Sequence, residues 1–128
     1  MKKRLLSSKL PYDVIEKMGI YRLGVFRNHS FDVVELRRNT YYPPHFHKRS
    51  TATFYVTFGH GYIIVGKKQV KYKPGNVFRV GKGVQHGFKP RSDTLVLSVQ
   101  TPPIKSATGK EDIKFIPLKG SDKGKIYK

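Results

Sequence analysis

The sequence predicts an all-β fold, a small antiparallel barrel or sandwich preceded by one short helix. Three observations carry that reading. The middle of the chain is rich in Val, Ile, Tyr and Phe, its apolar residues fall in short runs, and Gly, Pro and Asn clusters separate those runs at close intervals. Many short strands joined by tight turns pack as a sandwich or close as a barrel.

Taken in order, residues 1–9 are basic and polar and read as a loose arm. Pro11 then opens a helical pattern with Leu10, Val14, Ile15 and Met18 on one side and Gly19 as the stop, a helix expected to lie over the sheet. Residues 1–20 thus form an arm and a helix. From Tyr21 the text changes to strands: YRLGVF, FDVVELR, HFHKR, ATFYVTF, GYIIVG, QVKYK, NVFRV and TLVLSVQ. Turns are expected at 28–30, 42–44, 59–61, 66–68, 74–75 and 81–83, where Gly supplies positive φ or Pro presets it. The barrel is expected over 21–103. Beyond Pro103 the composition shifts to Lys, Gly, Ser and Asp. Residues 104–128 read as a basic tail with one edge strand or partner-bound arm at 112–118 and a disordered end.

Length and composition bound the function. At 128 residues the chain holds one domain and one core. Cysteine is absent, which removes disulfides, thiolate ligands, zinc fingers and iron–sulfur clusters. No apolar run is long enough for a membrane span or a secretory signal, so a cytoplasmic protein without a membrane partner is expected. The 26 Lys and Arg against 8 Asp and Glu give a net charge of +18, a surface that attracts phosphates, carboxylates and, without sequence preference, nucleic acid. The basic residues are scattered, and no helix-turn-helix, zinc-finger or RNA-recognition signature accompanies them. A surface of solubilising lysines explains the same composition.

The chemistry centres on His45, His47 and His86. Strand side chains alternate between faces, so His45 and His47 project to the same side, and a third imidazole from a distant strand could complete a trio. Neutral imidazoles suit one divalent ion, whether Zn, Fe, Ni, Mn or Cu. The competing reading is a hydrogen-bonded lining of a polar groove. His29 and His60 lie in turns and are set aside.

Around these histidines the chain resembles the cupin superfamily, whose motifs are G(X)5HXH(X)3-4E(X)6G and G(X)5PXG(X)2H(X)3N. The first falls on Asn39, His45, His47, Ala52 and Gly59, the second on Gly75, Gly81, Gly83, His86 and Pro90, with every interval kept and fifteen residues between the two motifs. The resemblance covers about residues 21–103. It implies a cupin-type antiparallel β-barrel, the double-stranded β-helix or jelly roll, with one divalent metal on His45, His47 and His86, and a homodimer. Asn39, Gly81 and Pro90 depart mildly from the pattern. Ala52 stands where the family usually has a metal-ligating glutamate, which leaves three neutral imidazoles, a weaker hold on the ion and a more cationic centre. Such three-histidine sites resemble those of dioxygenases in the superfamily.

Alternation from Ala52 places Phe54, Val56 and Phe58 on its side, an apolar floor for a substrate pocket or ordinary barrel filling. Arg79, if turned inward, could clamp a carboxylate or phosphate. Tyr55, Tyr62 and Tyr72 could supply a phenol, and Thr51, Thr53 and Gln85 offer only weak substitutes for the missing glutamate. The pocket candidates are therefore Ala52, Phe54, Val56 and Arg79. No general acid or base is assigned, because no carboxylate lies within either motif. Three functions follow: a metal-dependent enzyme of isomerase or epimerase type acting on a small anionic sugar, sugar acid or sugar phosphate; an Fe(II) dioxygenase on the same histidines; or a non-catalytic cupin binding an anionic ligand or polymer.

Overall fold

The apolar runs do form strands. In the computed structural model, which describes residues 9–15, 17–103 and 114–115, there are eleven strands and no helix among the described residues. They are β1 (Tyr12–Ile15), β2 (Met18–Phe26), β3 (His29–Leu36), β4 (Tyr42–Phe46), β5 (Thr51–Phe58), β6 (Gly61–Val65), β7 (Lys68–Tyr72), β8 (Val77–Val80), β9 (His86–Pro90), β10 (Thr94–Thr101) and β11 (Lys114–Phe115). Two antiparallel sheets result, ordered β1-β2-β3-β10-β5-β8 and β11-β4-β9-β6-β7. Their inner faces share one core, in which Leu36, Phe54, Val80 and Val96 of the first sheet meet Tyr42, Ile63, Tyr72 and Phe88 of the second. This is the expected jelly-roll barrel. No helix of the described residues is long and apolar enough to cross a membrane.

The expected N-terminal helix is absent, and a hairpin stands in its place. Ile15 pairs with Met18, Lys17 before Met18 has φ 70°, and Tyr12 pairs with Tyr21. Tyr, Val and Ile favour the pleat over the helix, and an adjacent strand was there to receive them. Val14, assigned to the helix's apolar face, is 64% exposed. Gly19 is not a helix stop. It makes room for the Tyr12 ring, and a Cβ there would collide with the Tyr12 hydroxyl and lie 2.9 Å from Glu35 Oε2. Tyr12 and Tyr21 both donate to the Glu35 carboxylate, at 3.1 and 2.9 Å, and Arg37 pairs with it at 3.2 Å. That buried cluster fastens the hairpin to β3.

The turn expected at 42–44 is instead the start of β4. Its pairing with β9 is irregular, with Tyr42 opposite Phe88 and His45 opposite His86. Pro43 and Pro44 have no N–H to donate, so the ladder slips there. The slip presses β4 onto Gly87, where a Cβ would lie 2.6 Å from the Tyr42 carbonyl oxygen and 3.0 Å from Pro44 N. Only glycine fits. In the C-terminal segment, β11 pairs with β4 at His45 and Phe46 on the sheet edge. The basic arm before residue 9 and the rest of the tail, including most of 112–118, lie outside the described residues.

Candidate metal centre

His45 ends the irregular part of β4, His47 follows in the next turn, and His86 opens β9 directly opposite His45. Alternation turns His45 and His47 to the same side, and the cross-strand pairing brings His86 to them. Ring centroids are 4.2 Å apart for His45 and His86 and 5.2 Å for each of the other two pairs. One ring nitrogen from each lies within 4.8 Å of the others, and the three residues are 5%, 4% and 0% exposed. The backbone locks this placement: Gly83 N donates to the His47 carbonyl at 2.6 Å, tying the second motif's turn to the first motif's histidine.

The donor set fits a divalent metal. Nδ1 of His86 faces the Val84 carbonyl at 3.2 Å, which assigns it the proton, while Nε2 is buried and has no hydrogen-bond partner. A buried lone pair left open beside two further imidazoles is the arrangement a cation satisfies, with the carbonyl setting tautomer and orientation. Burial, reinforced by His47, pushes the His86 imidazole down to about 3. Burial, then His86 and His47, holds His45 well below the usual histidine range. Both are therefore neutral at pH 7, the ligating form.

Phe54 stands 5.3 Å from the His86 ring and edge-on to Phe88 at 5.6 Å, giving the site an apolar wall. His45 and His47 open onto a cavity with about 40 Å³ of room for the centres of water-sized molecules, whose apolar lining includes Ile15, Met18, Ile20, Val34 and Val96. Its polar lining is Arg22, Asp32, Ser98 and Gln100. Asp32 is 6% exposed and pairs with Arg22 Nη1 at 3.5 Å, while Arg22 Nε bonds Asp13 at 3.0 Å. Ser30 donates to Gln100 Oε1 and Gln100 Nε2 donates to Ser98, a buried polar chain along the cavity wall. Gln100 is also the cross-strand partner of Ala52.

Of the four pocket candidates, Phe54 lines the cavity and Ala52 and Val56 are buried in the same row of β5. Arg79 does not turn inward. It pairs with Thr53, and alternation puts both on the outer face while Val80 fills the interior. Phe58 leaves the row as well, 56% exposed, because the β5–β10 register shifts between Leu95 and Val96. Tyr55 is also exposed, and Tyr72 is buried against Thr94. Arg22, Asp32, Ser98 and Gln100 were missed. In β10 the polar Thr94, Ser98 and Gln100 are buried and the apolar Leu95, Leu97 and Val99 are the less buried set, so hydrophobicity alone names the wrong face. The available signal was Asp32, two positions before Val34 and four before Leu36 on one face of an apolar strand.

No curated protein sequence matches the chain. Among solved structures it is similar to KdgF from Halomonas sp., with 21% identity and a TM-score of 0.66 over 72% of this chain and 87% of that one. It is also similar to a Streptomyces PAC13 variant with uridine, at 17% identity and a TM-score of 0.70 over 96% and 98%. A third likeness is to salicylate 1,2-dioxygenase from Pseudoaminobacter salicylatoxidans, at 18% identity and a TM-score of 0.70 over 82% of this chain but 30% of that one. These likenesses carry the fold. The family model described as Cupin domain matches residues 32–99, more than half of the 128 residues, and that span holds all three histidines and Asp32: the chain belongs to the cupin family.

Proposed function

We propose that this protein is a metal-dependent small-molecule enzyme that moves a proton on a small anionic substrate of the sugar, sugar-acid or sugar-phosphate class. The observation that carries the reading is a cluster of three buried imidazoles beside one largely apolar cavity, which His45 and His47 line together with the buried carboxylate of Asp32. His45, His47 and His86 would hold the ion. When bound, a divalent cation supplies Lewis acidity that polarises a carbonyl or hydroxyl pair. Asp32 answers the want of a general base, since its carboxylate lies in the same cavity and can take a proton from one carbon and return it to the next. Arg22 gives that wall a cation for a substrate carboxylate or phosphate. Phe54, Phe88 and Val96 keep water away from the exchanging proton.

Ala52 favours a second reading, an Fe(II) dioxygenase on the same three histidines, because no carboxylate neutralises the ion from that position. Elemental analysis of protein purified without chelators, repeated on His47→Ala, tests both. Stoichiometric metal lost in the variant supports the site. Iron with oxygen consumption selects the dioxygenase, another divalent ion with substrate-dependent deuterium exchange selects proton transfer, and metal-free wild-type protein leaves a non-catalytic binder.

A further inference from the structure

The end of the barrel away from the histidines carries a second concavity. β9 runs from His86, opposite Val65, to Pro90, opposite Gly61, so four residue steps separate the two ends, about 13 Å of strand. At the far end a cleft of about 520 Å³ is lined by His60, Tyr62, Lys71, Lys73, Asn76 and Arg91. That volume lies within the range of small-ligand sites. Among the described residues no carboxylate lines it, and none of Lys71, Lys73 and Arg91 is ion-paired with one of them.

The walls are fixed even though the cations are exposed. The His60 carbonyl accepts Arg91 N at 2.9 Å and Ser92 N at 3.2 Å, and His60 N donates to Ser92 Oγ at 2.9 Å, joining the loops that carry His60 and Arg91. Across the cleft, Asn76 Oδ1 accepts Lys73 N at 2.9 Å, closing the turn that follows β7. Lys71 stands opposite Tyr62 on the β6–β7 ladder. Lys71, Lys73, Arg91 and His60 thus line one cleft from three backbone segments.

The geometry points to this cleft as a binding site for a phosphate group, with Lys71, Lys73 and Arg91 taking the oxygens and Tyr62 flanking the rest of the ligand. An arginine and two lysines lining one cleft offer a forked donor and two flexible ammonium groups to the oxygens of a phosphate dianion. The phosphate belongs either to a small phosphorylated compound or to the backbone of a single-stranded nucleic acid. The site stands independently of the histidines.

The test titrates full-length protein with pyrophosphate, and separately with a single-stranded RNA pentamer, by calorimetry at low salt. Two variants with equal charge loss are compared: Lys71→Ala/Lys73→Ala in the cleft, and Lys67→Ala/Lys68→Ala at the opposite end of the same hairpin. The cleft pair is expected to weaken pyrophosphate at least tenfold and the control pair by less than twofold, with His86→Ala binding like wild type. Pyrophosphate alone identifies a small phosphorylated ligand. Tighter binding of the pentamer, with the same dependence on the cleft, identifies a nucleic-acid backbone. Equal weakening by the two pairs, or no binding of either probe, overturns the site.

Discussion

His86 lies directly across the β4–β9 ladder from His45, with ring centroids 4.2 Å apart. Two strands carry the first two corners of the candidate metal site, and the site is therefore only as stable as that register.

Metal binding should be visible as folding stability. An ion at about a hundred times its dissociation constant adds about 2.7 kcal/mol, read as a rise of roughly 10 °C in melting temperature for a domain of this size. His86→Ala and His47→Ala should abolish the rise. A variant still stabilised to the wild-type extent would place the ion elsewhere.

Gly87→Ala should weaken the site without touching a ligand. The added methyl meets the Tyr42 carbonyl oxygen at 2.6 Å, and backbone cannot step aside as a flexible side chain can. A loss of about 1–3 kcal/mol is expected in denaturant melts, together with weaker metal binding as β4 and β9 separate. Normal metal affinity in the destabilised variant would show that the histidines do not depend on this contact.

Asp32→Asn keeps the shape of the side chain and removes its basicity. Metal content should stay at the wild-type level, while turnover of any substrate that wild type converts by proton transfer falls about 10²–10⁴-fold. Loss of metal along with turnover would instead make Asp32 a support for the histidines.

Ala52→Glu should separate the two states of the protein. Position 52 is fully buried, so a glutamate overpacks the metal-free barrel and costs about 1–3 kcal/mol. Loaded protein should recover that loss, because the new carboxylate joins the ion, and the melting-temperature gap between loaded and metal-free protein should widen. An unchanged gap would place residue 52 beyond reach of the ion.

Stability should fall in alkali through Tyr72. Burial raises its phenol from 10.0 to about 12, against a smaller lowering by the hydroxyl of Thr94. The unfolded phenol releases its proton first, so this contribution is whole below pH 10 and disappears as pH climbs to about 12. Burial likewise raises Tyr42 and Tyr12, which act in the same direction. Tyr72→Phe should flatten the decline, as followed by urea melts between pH 9 and about 12, at a cost of about 1 kcal/mol at neutral pH for the lost hydrogen bond. A decline as steep as wild type would assign it to other groups.

Much of this was legible because strand alternation is a strict rule. It puts His45 and His47 on one side, and Phe54 and Val56 in one row, from the sequence alone. The same rule fails at irregularities, and these are tertiary. The prolines of β4 and the shift opposite Phe58 arise from how neighbouring strands pair, which no single strand records. The hairpin at Tyr12 was misread because Leu10, Val14, Ile15 and Met18 also satisfy helical spacing, and only β3 decided between the two. Asp32 and Gln100 escaped notice because polar residues were expected outside. In this barrel the interior cavity is where they lie.

The hairpin fastened by Glu35 also walls one side of the cavity. β1 touches one neighbouring strand, yet Ile15 beside its turn and Met18 just after it both face the cavity. β1 is held to the sheet by four residue pairs with β2 and by the hydrogen bond of Tyr12 to the carboxylate that also binds Tyr21. The carboxylate that anchors the hairpin thus also holds Ile15 and Met18 against the chamber.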